Sequence, residues 1–171
     1  MEAKMETALV GHVKEEFYSS HLYLSMSSWA DANGFKGAAN WLRIQFQEEQ
    51  AHALRFFDYL KDRGIKIAMP AIAQPPSQWT DLMDLFQEVK KHEQQVTKLI
   101  NDLYTISVEG KDHAASAFLH WFVNEQVEEE KNAQDIIDQL RIIGGNGSGL
   151  YMLDKELATR VFIAPTFGIT A

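Results

Sequence analysis

Four times along this chain, apolar residues recur every three to four positions for about thirty residues with no proline to break the run. A stripe of that period and length is one face of an amphipathic helix, and four such helices can bury their stripes only against one another. The first helix is predicted over about 2–32 and stops at NGFKG, a turn-forming stretch with two glycines. The second spans about 37–63 and ends at Gly64, a C-cap residue. The third, about 81–108, carries Leu82, Leu85, Phe86, Val89, Val96, Ile100 and Leu103. The fourth, about 112–143, follows the short turn EGKD and carries Ala115, Phe118, Phe122, Ala133, Ile136, Leu140 and Ile143.

Between the second and third helices lies IKIAMPAIAQPPSQW, which holds three of the four prolines. It is too long for a hairpin between neighbours and has to travel the length of the bundle. The expected fold is therefore all-α: two helical hairpins joined by one long crossover into a four-helix bundle. After GGNGSG, a short fifth helix is expected over about 149–159, and the apolar tail 160–171 shows no helical pattern. A chain of 171 residues that is 46% hydrophobic can bury a core of this kind as a single domain, 1–171.

With no cysteine, disulfides, thiolate zinc sites and iron–sulfur clusters are excluded, so a bound metal would need oxygen and imidazole ligands. A net charge of −8 argues against nucleic acid as a partner. The opening segment MEAKMETALVGHVKEEF is charged throughout and reads neither as a signal peptide nor as a membrane span. A soluble, cytoplasmic protein is expected.

The informative positions are the gaps in the apolar stripes. Glu93 falls between Val89 and Val96, and Gln126 and Glu129 fall between Phe122 and Ala133. Glu49 and His52 interrupt Leu42, Phe46, Phe56 and Leu60, and Glu16 shares a face with Tyr23 seven residues on. A lone acid on such a stripe is usually a rim residue reaching water. Four are harder to place, because ionised carboxylates buried without partners cost several kcal/mol each.

Spacing ties these positions together. Thirty-three residues separate Glu16 from Glu49, and thirty-three separate Glu93 from Gln126; His52 follows Glu49 by three, as Glu129 follows Gln126. The two hairpins thus repeat one polar pattern. Counted from the turns at Gly34 and Gly110, all six side chains sit about 25 Å along their helices, near mid-bundle. Four carboxylates, an imidazole and a carboxamide make a ligand set suited to iron, manganese or zinc, and two divalent ions balance four carboxylates. A dinuclear site follows, with Glu49 central enough to bridge.

Through EEFYSSHLYLS, QEEQAH, KKHEQQVT, WFVNEQVEEE and GLYMLDKEL the chain resembles the ferritins, specifically the haem-free prokaryotic type. The known di-iron members of that ferritin-like class carry one Glu from each of two helices and Glu-x-x-His from the other two, a pattern that belongs to the family and is not shown by spacing. The resemblance implies Glu16, Glu49 and His52 at a first iron position, and Glu49, Glu93 and Glu129 at a second, with Gln126 beside it. It further implies a third iron near Glu48, Glu125, Glu128 and Glu129, residues that spacing alone reads equally as a solvated acidic face. Tyr23 would hydrogen-bond a ligand or donate an electron, or else serve as a core tyrosine. Trp121 and the remaining histidines, His12, His21, His92, His113 and His120, read as packing or surface residues.

Gln126-x-x-Glu129 replaces the second Glu-x-x-His, which favours iron in transit over a permanent cofactor. Gln50 stands where bacterioferritins carry their haem-ligating methionine, so no haem is expected. Ser116 and Leu119 stand where animal ferritins place the acids of a threefold entry channel. The function implied is iron storage: iron(II) oxidised by oxygen or peroxide at an intrabundle di-iron ferroxidase centre, and the ferric mineral held inside a homo-oligomeric shell of 24 subunits. The alternative is a soluble di-iron oxidase or peroxidase without storage.

Overall fold

The computed structural model describes residues 1–166, so residues 167–171 of the expected tail lie outside the described residues. The described residues form five helices in chain order: α1 (Ala3–Ala32), α2 (Lys36–Asp62), α3 (Leu82–Glu109), α4 (His113–Ile143) and α5 (Gly147–Leu157). Among the described residues there is no strand, and no helix is long and apolar enough to cross a membrane. α1 packs along α2 and α3 along α4, the two hairpins meet chiefly through α1 and α3, and α5 folds against α2 and α4.

The helix starts reflect orphan N–H groups that need acceptors. Asp81 accepts from the Asp84 N–H and Asp112 from the Ala115 N–H, so both expected first residues are N-caps just outside their helices. The Arg63 guanidinium forks onto both Asp112 oxygens at 3.1 and 3.0 Å, tying the end of α2 to the start of α4. α5 begins two residues earlier than 149 because the Asn146 side chain accepts from the N–H groups of Ser148 and Gly149. The glycine-rich segment is therefore partly helix.

Gly37, in the first turn of α2, has no side chain for a reason. A Cβ there would lie 1.6 Å from the Asp154 carbonyl oxygen of α5. At that contact the Asp154 carboxylate accepts from the Ala38 N–H at 2.9 Å and caps α2 from another helix. The crossover is anchored where Trp79 meets Trp29 edge to face at 6.0 Å and where the Ser25 hydroxyl donates to the Pro76 carbonyl.

The core is split in two. One apolar cluster surrounds Trp29, Trp41, Phe86 and Leu140 and takes in Leu153 and Leu157 of α5. The other surrounds Met5, Leu9, Phe56, Leu119 and Phe122. Along α3, Val89 belongs to the first cluster and Val96 to the second, and Glu93 lies between. The same boundary on α1, α2 and α4 is occupied by buried Glu16, Glu49, His52, Gln126 and Glu129.

Candidate metal centre

Every long helix contributes to this polar layer, and each of its six side chains flagged by spacing is at most 5% exposed. Burial follows from the helical period: each residue stands on a stripe whose neighbours a turn away are core, so the packing that buries those neighbours buries it too.

Glu16, Glu49 and His52 come together most closely. Each offers a ligand atom, and the three atoms lie within 4.8 Å of one another. His52 Nδ1 stands 3.7 Å from Glu49 Oε2, a buried oxygen that accepts no hydrogen bond among the described residues. Burial, together with the charges of Glu16, Glu93 and Glu129, pushes the Glu49 carboxyl well above the ordinary range. Burial also pushes Glu16 upward, but His12, by charge and by hydrogen bond, with help from His52, brings it down to about 2. These surroundings thus favour the charged form of Glu16 and the protonated form of Glu49. Burial holds the His52 imidazole down, toward the neutral form that binds metals. A divalent cation would supply the charge this cluster lacks and a partner for Glu49 Oε2, so the residues fit one.

On the other side, the Tyr23 hydroxyl donates to Glu93 Oε1, and Gln126 Nε2 donates to Glu93 Oε2 at 3.1 Å and to the Glu93 carbonyl at 3.2 Å. Gln126 therefore presents an N–H donor here. Burial raises the Glu93 carboxyl, against His92, Tyr23 and Gln126, which favour its charge. Glu129 is raised well above the ordinary range, first by burial and then by Glu93 and Glu48. The Tyr23 phenol is held well above its ordinary value by burial and by Glu93, Glu49 and Glu129, so it keeps its proton as a donor.

Two members of the layer lie outside the spacing pattern. His12 is buried, packs its ring edge on Phe56 at 4.6 Å, and brings Nε2 to within 2.8 Å of Glu16 Oε1. Gln45, fully buried, donates to Glu129 Oε2 at 2.8 Å and so links α2 to α4. Each stands four residues before a carboxylate on its own helix, one turn along the same face, and that offset was the available signal. Trp121, half-buried, sets its ring 5.4 Å from that of His52, and His92 meets the Ser19 hydroxyl at 2.8 Å.

The four acids expected around a third iron are not drawn into one such group. Glu128 is exposed, whereas Glu48 and Glu125 are half-buried. Arg160, just past α5, donates from Nη2 to Glu48 Oε2 at 2.6 Å. Burial raises the Glu125 carboxyl to about 7, helped by the charges of Glu128 and Glu48.

The Ferritin family model, a ferritin-like domain, matches residues 6–143. A bacterial non-heme ferritin of Escherichia coli O157:H7 is 45% identical over 144 residues, covering 84% of this chain and 87% of that protein. One from Bacteroides fragilis (strain YCH46) is 38% identical over 157 residues, covering 92% and 98%. Among solved structures, an engineered closed form of the Archaeoglobus fulgidus ferritin superposes with a TM-score of 0.94 at 44% identity, covering 95% of this chain and 99% of that one. The open-pore ferritin of the same archaeon superposes with a TM-score of 0.93, again at 44% identity, covering 94% and 99%.

Proposed function

This chain belongs to the ferritin family, and from that premise we propose that it stores iron, oxidising iron(II) within the bundle and holding the ferric product inside a shell of its own copies. The observation that carries the reading is the buried triad of Glu16, Glu49 and His52, whose ligand atoms lie within 4.8 Å of one another in a layer between two apolar clusters. Iron(II) is the substrate. Glu16, favoured as the carboxylate, and the His52 imidazole would hold the first ion; Glu49, on losing its proton, would serve both that ion and a second one held by Glu93 and Glu129.

Each iron(II) gives up one electron. Dioxygen that takes both electrons with two protons leaves as hydrogen peroxide; peroxide that takes two electrons with two protons leaves as two waters. Tyr23 holds Glu93 in place as the charges change, and Gln126 leaves the second position one carboxylate poorer, so ferric iron moves on to the interior. The proposal takes the shell to be one of 24 subunits in the cytoplasm, a reading the resemblance to other ferritins supports.

The deciding experiment adds iron(II) aerobically, from two to several hundred ions per chain, and separates the product by size with iron and protein read together. Soluble ferric iron far beyond two per chain, co-migrating with a large shell, is expected. Uptake that stops near two or three per chain would replace storage with a soluble di-iron oxidase. Glu49→Ala is expected to assemble and lose rapid oxidation; unchanged oxidation would remove this site from consideration.

A further inference from the structure

The segment that follows α5 does more than end the chain. Asn40 Nδ2 donates to the Arg160 carbonyl at 2.9 Å, fixing the backbone of that residue against α2. The Arg160 guanidinium lies over the Trp41 ring, 4.5 Å from its centre, and Nη2 reaches Glu48 Oε2 at 2.6 Å. Both side chains of that ion pair are about four-fifths buried, at 21% and 19% exposure. Trp41 and Glu48 of α2 therefore hold the guanidinium, and Asn40 holds the backbone, of one residue beyond α5. Its charge also reaches Glu129, which the proposed function gives to the second iron.

We propose that Arg160 is the built-in cation of Glu48, so that this chain takes two metal ions in the bundle and excludes a third at Glu48. The inference rests on the proposed function for the first two positions. Its physical basis is simple. An ion entering at Glu48 would have to part a charge-assisted hydrogen bond that is largely shielded from water, lift a guanidinium from an indole face, and accept the repulsion of that guanidinium nearby. Arg160 is tethered, so its local concentration is far above that of free metal.

The test counts zinc(II), a redox-inert probe, bound per chain in the assembled apo-protein by equilibrium dialysis. About two ions per chain are expected for the parent and about three for Arg160→Gln, with the third bound at least roughly tenfold tighter than in the parent. Arg160→Lys, which keeps a cation there, is expected to stay at two. Glu48→Gln added to Arg160→Gln is expected to return the count to two, which assigns the new ion to Glu48. Three ions in the parent, three in the Lys variant, two in Arg160→Gln, or three in the double variant would each overturn the inference while leaving the first two positions standing. A parent that binds none would overturn the reading beneath it as well.

Discussion

Glu49 is buried among three other carboxyls and has an oxygen that accepts no hydrogen bond among the described residues. Its raised value, like that of Glu129, means that the folded apo-protein favours the protonated form. Stability from these two groups is present in full below the ordinary value of 4.5 and is lost as pH rises through their raised values. Glu16 runs the other way: lowered to about 2, it stabilises above 4.5 and loses that contribution as pH falls toward 2. The melting temperature of the apo-protein is therefore expected to decline from about pH 5 upward, and zinc(II) loading to abolish the decline while releasing protons into a weakly buffered solution. Glu49→Gln is expected to raise apo stability by on the order of 1 kcal/mol in a urea melt and to lose metal binding. His12→Leu removes the group that orients Glu16 and is expected to weaken the first metal about tenfold, with His12→Gln, which retains a donor, restoring most of it.

Among the elements, the contact between α2 and α5 leaves no room for a side chain at Gly37. Gly37→Ala would drive a methyl into the Asp154 carbonyl and also disturb the Ala38 cap, so α5 has to move. A loss of about 2 kcal/mol is expected, concentrated in α5, whose amides should exchange much faster while those of α3 stay protected. Uniform loss of protection across the bundle would show instead that α5 and the bundle unfold together. Since Arg160 follows α5 directly, the same variant is expected to loosen the Arg160–Glu48 pair and ease binding of a third zinc ion.

At the scale of the molecule, the apolar residues left outside are concentrated near α5. Ile142 is 86% exposed and Met152 67%, and both line a groove of about 530 Å³ between α4 and α5; Tyr151 on α5, and Val161 and Ile163 beyond it, are exposed as well. Apolar exposure of that kind marks a surface another chain covers, and the proposed shell provides one. Met152→Glu is expected to leave the helical content unchanged and to shift the protein from a large shell to small oligomers in native mass measurement. On the proposed function such a protein would still oxidise the first irons yet precipitate the ferric product, because that reading gives storage to the enclosed shell and oxidation to the single bundle.

Periodicity along the chain sufficed for the helices and the crossover, because an apolar stripe and a proline-rich break act locally. It also marked Glu16, Glu49, His52, Glu93, Gln126 and Glu129, because a polar residue at a core position is visible against the pattern it interrupts. What the pattern could not supply was the partner of each group. Gln45 bonds Glu129 across the bundle through directions that packing sets, and Gln126 points its N–H groups at Glu93 and at the Thr97 hydroxyl, both on α3. The Arg160–Glu48 pair spans 112 residues, and no local rule links its ends. Helix faces are decided by neighbours in sequence, whereas hydrogen bonds and ion pairs across a bundle are decided by which faces meet, and that is a property of the tertiary structure alone.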